Sequence, residues 1–292
     1  MYNVILLCTS GSEALSQKLV NSVYSSMDGQ NLSWLCDDEA VCFQVEKKST
    51  AHYEIWSQLQ HIKIDMVFQK KENHFKSLLL ADMDSTMIEQ ECIDELADMC
   101  GVGSEVKKIT TRAMNGELGF HDALNERVSL LAQCPSSIVE QVLEKRITFR
   151  PGGKTLVSTM KANGAYTALV SGGFTAFSIP IGTNLGFDEQ HANILVEENG
   201  VFTGKVAEPI LGKNEKVNQL NRLVKERGLM HSDVLAVGDG ANDLGMLAIA
   251  GIGVAMHAKP IVAEKCDIVI NHCDLSSLLY LQGYKKEDFV ST

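Results

Sequence analysis

The sequence has no surplus of positive charge: 26 lysines and arginines stand against 37 aspartates and glutamates, for a net charge of −11. A nucleic-acid binder needs a stripe of cations to neutralise phosphates, so that function class is excluded. An anionic small molecule would have to be met by cations gathered locally. Long apolar runs are missing too. The uncharged stretch Leu244 to Met256 contains three glycines and falls short of the roughly 20 residues that a spanning helix needs. The start, Met1-Tyr2-Asn3-Val4-Ile5-Leu6-Leu7, has no basic segment, and its apolar run is shorter than the roughly 7 to 15 residues of a signal-peptide core. These absences predict a cytoplasmic protein with no membrane partner. Among the eight cysteines there is no Cys-x-x-Cys pair, so reduced thiols are expected. Cys266, His272 and Cys273 have the spacing of no common zinc site.

What is present is enough apolar sequence, 45% of 292 residues, for more than one core; roughly 150 residues per domain predicts about two domains. Residues 1–75 read as β-α-β-β-α-β, the ferredoxin-like arrangement, and carry no catalytic cluster. This unit is expected to serve association, as the contact surface of a homodimer, or regulation. The segment 70–74 links it to the rest, 76–292.

Leu78-Leu79-Leu80-Ala81 is an unalternating apolar run, as in a strand buried on both faces, and Asp82 and Asp84 follow directly. Ser85, Thr86 and Glu89 read as a helix N-cap with its capping box, which places the acids on a strand-to-helix turn. Two neighbouring carboxylates can divide labour, one ionised as nucleophile and metal ligand, the other carrying a proton as general acid. Four amphipathic segments follow (88–99, 104–115, 121–133 and 136–146). They predict a four-helix insertion, longer than a plain crossover requires. After Arg150-Pro151-Gly152-Gly153, strands and helices alternate, with a hairpin turn at Asn199-Gly200. The expected fold is therefore α/β, a doubly wound parallel sheet with a helical cap, preceded by a small α+β unit.

Three strand ends carry polar residues: Asp82 and Asp84, then Ser171-Gly172-Gly173-Phe174, then Gly238-Asp239-Gly240-Ala241-Asn242-Asp243. In a parallel sheet such ends share one edge, so they are expected to meet in one crevice. Asp82 and Asp239 suit a hard cation such as magnesium. Ser171, the backbone around Gly172, and Asn242 supply donors for phosphate oxygens, and Lys213 supplies a charge. A dinucleotide loop at Gly238 is disfavoured, because Asp243 stands where its third glycine belongs.

In order, these motifs resemble those of the haloacid dehalogenase superfamily, and within it the phosphatases that act on O-phosphoserine. The resemblance covers about residues 76–290. It implies a cap at about 88–149 and a Mg2+-dependent hydrolysis through an aspartyl-phosphate, the last step of serine biosynthesis. Asp82 would be the nucleophile and Asp84 the acid and base, with magnesium held by Asp82, Asp239 and the carbonyl of Asp84. Ser171 and Lys213 would hold the phosphoryl group, supported by Asn242 and Asp243. The implied substrate clamp is Glu91 for the ammonium and Arg127 for the carboxylate, with Met114, Phe120 and Gly172 lining the pocket. The first unit resembles an ACT-like domain. Two alternatives remain open here: phosphoryl transfer to homoserine, and an amino-acid sensor with an inert phosphatase body.

Overall fold

The computed structural model describes residues 1–48, 51–70, 75–114, 117–212 and 214–291, without the side chains of Ala51 and Met114. Most of the expected linker, residues 71–74, therefore lies outside the described residues. In chain order the first elements are β1 (Tyr2–Cys8), α1 (Gln17–Ser26), β2 (Gln30–Cys36), β3 (Ala40–Val45), α2 (Ala51–His61) and β4 (Ile64–Lys70). Next come β5 (Leu78–Ala81) and four helices, α3 (Cys92–Met99), α4 (Gly103–Met114), α5 (Phe120–Ser129) and α6 (Ile138–Lys145). The α/β alternation runs through α7 (Gly153–Ala162), β6 (Tyr166–Phe174), α8 (Thr175–Leu185), β7 (Glu189–Asn193), β8 (Leu195–Glu198), β9 (Val201–Val206) and α9 (Glu215–Glu226). It ends with β10 (Val234–Gly238), α10 (Leu244–Ile249), β11 (Ile252–Met256), α11 (Pro260–Ala263), β12 (Ile268–Ile270) and α12 (Ser277–Tyr280). A four-stranded sheet has the order β2-β3-β1-β4, a six-stranded sheet the order β12-β11-β10-β5-β6-β7, and β8 pairs with β9. The pairs β10–β11, β11–β12 and β6–β7 are parallel. No helix among the described residues is long and apolar enough to cross a membrane.

The chain divides into two compact units, residues 1–79, 151–166 and 229–292 in one, and 80–150 and 167–228 in the other. In the first, β1 pairs antiparallel with both β3 and β4, and β2 with β3. With two helices between the strands, this is the ferredoxin-like arrangement. Val4, Leu6 and Cys8 join Val20, Val23, Phe43 and Leu59 in one core. The alternate residues Ile5, Leu7 and Val67 are buried as well, so the sheet is covered on both faces. The second face is fastened by charge: Asp65, fully buried, accepts backbone N–H bonds from Asn271, His272 and Cys273 at 3.0 to 3.1 Å. Bonds to an ionised acceptor are about twice as strong as neutral ones, which offsets the cost of burying this carboxylate. Glu39 adds the hydroxyl of Tyr280 at 3.0 Å and the ammonium of Lys286 at 3.1 Å.

In the second unit, α3 packs on α4 and α6, α4 on α5, and α5 on β9. The segments that connect this helical group to its sheet are zipped together. Ile88 bridges Phe149, Glu89 N–H donates to Thr148 O at 3.0 Å, and Arg150 N–H donates to Met87 O at 3.0 Å. The β8–β9 hairpin turns through Asn199 and Gly200 with φ of +52° and +79°; two successive left-handed residues form the type I′ turn whose twist matches the strands.

The expected capping box of Thr86 and Glu89 does not form, because no helix starts there. Ser85 has φ +58° and its N–H donates to Gln90 O at 3.1 Å, so the chain turns back before helix α3 starts at Cys92, with Glu91 as N-cap. The expectation that all thiols are reduced is corrected as well: Cys100 and Cys134 are disulfide-bonded across 34 residues, and six cysteines are free. Closing a loop of that length removes chain entropy worth about 3 to 4 kcal/mol from the unfolded state. Thiol titration of the denatured, unreduced protein should therefore count six groups rather than eight, and reduction should lower the melting temperature. Eight titratable thiols would show that the bond does not form.

Candidate active site

Asp82 follows β5 directly, so a strand that is fully buried carries it out of the sheet, and it is itself 5% exposed. A lone carboxylate is costly there. Its Oδ1 accepts the N–H of Met83 at 2.8 Å and lies 2.6 Å from Nζ of Lys216, which is also buried. Sequence reading missed Lys216. A signal was available, because Lys216 stands in line with Leu220, Leu223 and Val224, the apolar stripe of α9. A lysine on that stripe is buried with a partner or not at all. Lys213, to which the motif was assigned, lies outside the described residues.

Asp84 sits in a different environment on the turn. Its Oδ1 accepts the N–H of Cys92, the first residue of α3, at 2.8 Å, where the helix dipole favours a negative charge. Its Oδ2 accepts the hydroxyl of Ser171 at 3.0 Å. Ser171 Oγ in turn accepts the N–H of Gly173 at 2.8 Å. The register of β6 against β7 slips between Val170 and Phe174, and a bulge of this kind re-aims the residues it contains. A Cβ on Gly173 would lie 2.8 Å from Asp84 Oδ2 and 3.0 Å from Ser171 Oγ, so only glycine fits between the two. Gly172 faces Phe120, whose ring is 3.5 Å from where a Cβ on Gly172 would stand.

Of the clamp residues, Glu91 is exposed at the start of α3 and accepts the hydroxyl of Ser85 at 2.9 Å. Arg127 is half-buried on α5, with its Nε donating to Ala123 O at 3.2 Å. Burial pushes its pKa down, against the pull of the carboxylates of Asp94, Glu91 and Asp84. Asp94 was also missed in the sequence, although it stands one helical turn after Glu91. Met114 ends α4, and its side chain lies outside the described residues.

The remaining predicted residues belong to the other unit. Asp239 follows β10 and is 5% exposed, while Asp243 is fully buried, its Oδ2 accepting the N–H groups of Asp239 at 3.1 Å and Gly240 at 2.8 Å. A side chain at Gly238 or Gly240 would collide with Asp243 or Asn242 respectively. Lys259 Nζ is 4.0 Å from Asp239. Asp82, Asp239 and Asp243 each offer a buried carboxylate oxygen, the hard donor that a divalent cation takes.

Residues 79–248 match the haloacid dehalogenase-like hydrolase family. A phosphoserine phosphatase of Archaeoglobus fulgidus is 41% identical over 221 residues, 75% of this chain but only 64% of that protein's own length. A solved phosphoserine phosphatase holding an analogue of the phospho-aspartyl intermediate is 43% identical over 70% of this chain and 98% of its own, with a TM-score of 0.65. A hydrolase of the same superfamily from Salmonella enterica serovar Typhi, 28% identical, covers 96% of this chain and 98% of its own with a TM-score of 0.85. The chain belongs to the haloacid dehalogenase-like hydrolase family.

Proposed function

We propose that the chain is a phosphoserine phosphatase, releasing serine and inorganic phosphate from O-phosphoserine. The observation that carries this reading is the unlike treatment of two acids two residues apart. Asp82 is buried against a lysine, whereas Asp84 is held by a helix N-terminus and a serine hydroxyl. Different environments give different protonation tasks. An Asp82 oxygen attacks phosphorus and the bond from phosphorus to the serine oxygen breaks, while Asp84 delivers a proton to that oxygen. Asp84 then takes a proton from water as it attacks the aspartyl-phosphate, which restores Asp82 and frees phosphate. Lys216 orients the Asp82 carboxylate and meets the charge of the phosphoryl oxygens, joined by Ser171 and Asn242. Asp82, Asp239 and the carbonyl of Asp84 would hold magnesium, with Asp243 in support. Their hard oxygen donors suit that ion, which supplies positive charge to the phosphoryl group when bound.

Glu91 receives the substrate ammonium, Arg127 the carboxylate, and Met114, Phe120 and Gly172 enclose the serine carbons. Residues 1–75, with their ferredoxin-like strand order, form an ACT-like unit for association or regulation, through which a homodimer forms. The location is cytoplasmic. Phosphate release from a panel of phosphomonoesters, with and without magnesium and homoserine, tests the activity. Preference for free phosphoserine with release of phosphate supports hydrolysis. Appearance of phosphohomoserine in its place would show transfer.

The clamp makes a sharper prediction. A guanidinium and a carboxylate form a strong bidentate pair. Arg127→Ala should therefore lower kcat/KM for phosphoserine by about 10²-fold, the loss expected when a charge-assisted contact of roughly 1.5 to 3 kcal/mol disappears. A phosphate ester without a carboxylate should lose little. Equal losses on both would mean that Arg127 supports the helices rather than reading the ligand.

A further inference from the structure

Asn193 is the last residue of β7 and is 2% exposed, yet its side chain reaches two backbone segments of the second unit at once. Its Nδ2 donates to Gly172 O at 3.0 Å and to Leu211 O at 3.4 Å, while its Oδ1 accepts the N–H of Leu211 at 2.7 Å. The Leu211 N–H requires an acceptor, so the orientation of the amide is settled by its partners. Asn193 also pairs with Phe174, on the far side of the β6 irregularity that carries Ser171, Gly172 and Gly173.

The carbonyl of Gly172 and the N–H of Gly173 belong to one planar trans peptide and point in opposite directions. Pulling that carbonyl toward Asn193 therefore aims the Gly173 N–H, and its target is Ser171 Oγ at 2.8 Å. Ser171 Oγ, with one lone pair occupied, directs its own proton to Asp84 Oδ2 at 3.0 Å. The links run from the Asn193 amide through one peptide and one hydroxyl to the acid of the catalytic turn.

We propose that Asn193 is a positioning residue for Asp84, acting through the Gly172–Gly173 peptide and Ser171. This inference rests on the phosphatase reading for its kinetic consequence, but its structural link stands apart from it. Asn193 touches no reacting atom. It holds the bulge of β6 so that the Ser171 hydroxyl meets one oxygen of Asp84 while Cys92 N–H meets the other. Its bonds to Leu211 tie the same bulge to the segment leading into α9, where Lys216 stands.

The test is a double-mutant cycle on the full chain with free phosphoserine. Asn193→Ala should lower kcat roughly 10- to 100-fold, the range set by misplacing a catalytic group by up to about 1 Å. KM should move by less than about threefold, because the Glu91 and Arg127 contacts to the ligand remain. Asn193→Asp keeps the size and the acceptor for Leu211 but turns an oxygen toward two carbonyls, and should lose at least as much. In the cycle, Ser171→Ala with Asn193→Ala should be no slower than Ser171→Ala alone, within about twofold. Losses that multiply would overturn the proposal, because a merely structural residue adds its cost to that of any other. Hydrogen exchange of the Gly173 amide gives a readout independent of activity: it should quicken in Asn193→Ala, and unchanged exchange in the folded variant would also overturn the link. A wild-type protein that leaves phosphoserine intact would count against the phosphatase reading, while the exchange result would still decide the role of Asn193.

Discussion

Asp82→Asn should leave a folded protein that no longer turns over phosphoserine, with a rate loss on the order of 10⁴-fold or more, because removing a nucleophile closes the covalent route. The amide has the size of the carboxylate, so the end of β5 keeps its packing. It is a poor nucleophile and a poor ligand for a hard cation. The substitution also leaves the Lys216 ammonium facing a neutral group at a site that is nearly closed to solvent. Breaking such a pair typically costs about 3 to 5 kcal/mol, so circular dichroism at 25 °C must accompany the kinetics. Acid quenching of the wild type during turnover with labelled phosphoserine should trap phosphate on the protein, and the variant should trap none. Steady turnover by folded Asp82→Asn, with deamidation excluded by mass, would remove Asp82 from the role.

The site could be read from the sequence as far as it is written in contiguous motifs. Leu78–Ala81 with its two acids, and Gly238 to Asp243, combine a buried strand with residues that have no structural reason to follow one, so their positions at strand ends were predictable. Five strands of the six-stranded sheet and the first unit's element order follow from runs of apolar residues whose lengths suit strands. Failures occur where tertiary partners decide. Ser85, Thr86 and Glu89 have the spacing of a capping box, but the turn is closed by Gln90 O and the helix is started at Cys92 instead. β7, Glu-Gln-His-Ala-Asn, has no apolar periodicity; it is a strand because it pairs at the edge of the sheet with β6. Asn193 at its end is polar and unremarkable in sequence, since its partners are backbone groups with no sequence signature. The Cys100–Cys134 bond joins residues far apart in sequence with no motif between them.

Lys213 and Lys216 set the second large effect. The two lysines are three residues apart in sequence, and a motif alone does not choose between them. The ammonium of Lys216 is 2.6 Å from Asp82 Oδ1, with both side chains buried. Lys216→Met keeps the length and apolar stem of the side chain, so α9 should still pack. The phosphoryl charge then loses its fixed cation, and kcat should fall about 10²- to 10³-fold, the usual cost of deleting one preorganised donor. Stability should fall as well, because the buried Asp82–Lys216 pair is broken. Adding Asp82→Asn to Lys216→Met should recover much of that stability while activity stays absent, since a buried pair replaced on both sides is often neutral. This opposite movement of stability and rate separates a charge pair at a working site from a simple packing defect. Lys213→Met should cost less than about tenfold, well below the effect of deleting a preorganised donor. Full activity in Lys216→Met together with an inactive Lys213→Met would return the role to Lys213 and leave the buried pair as a structural contact only.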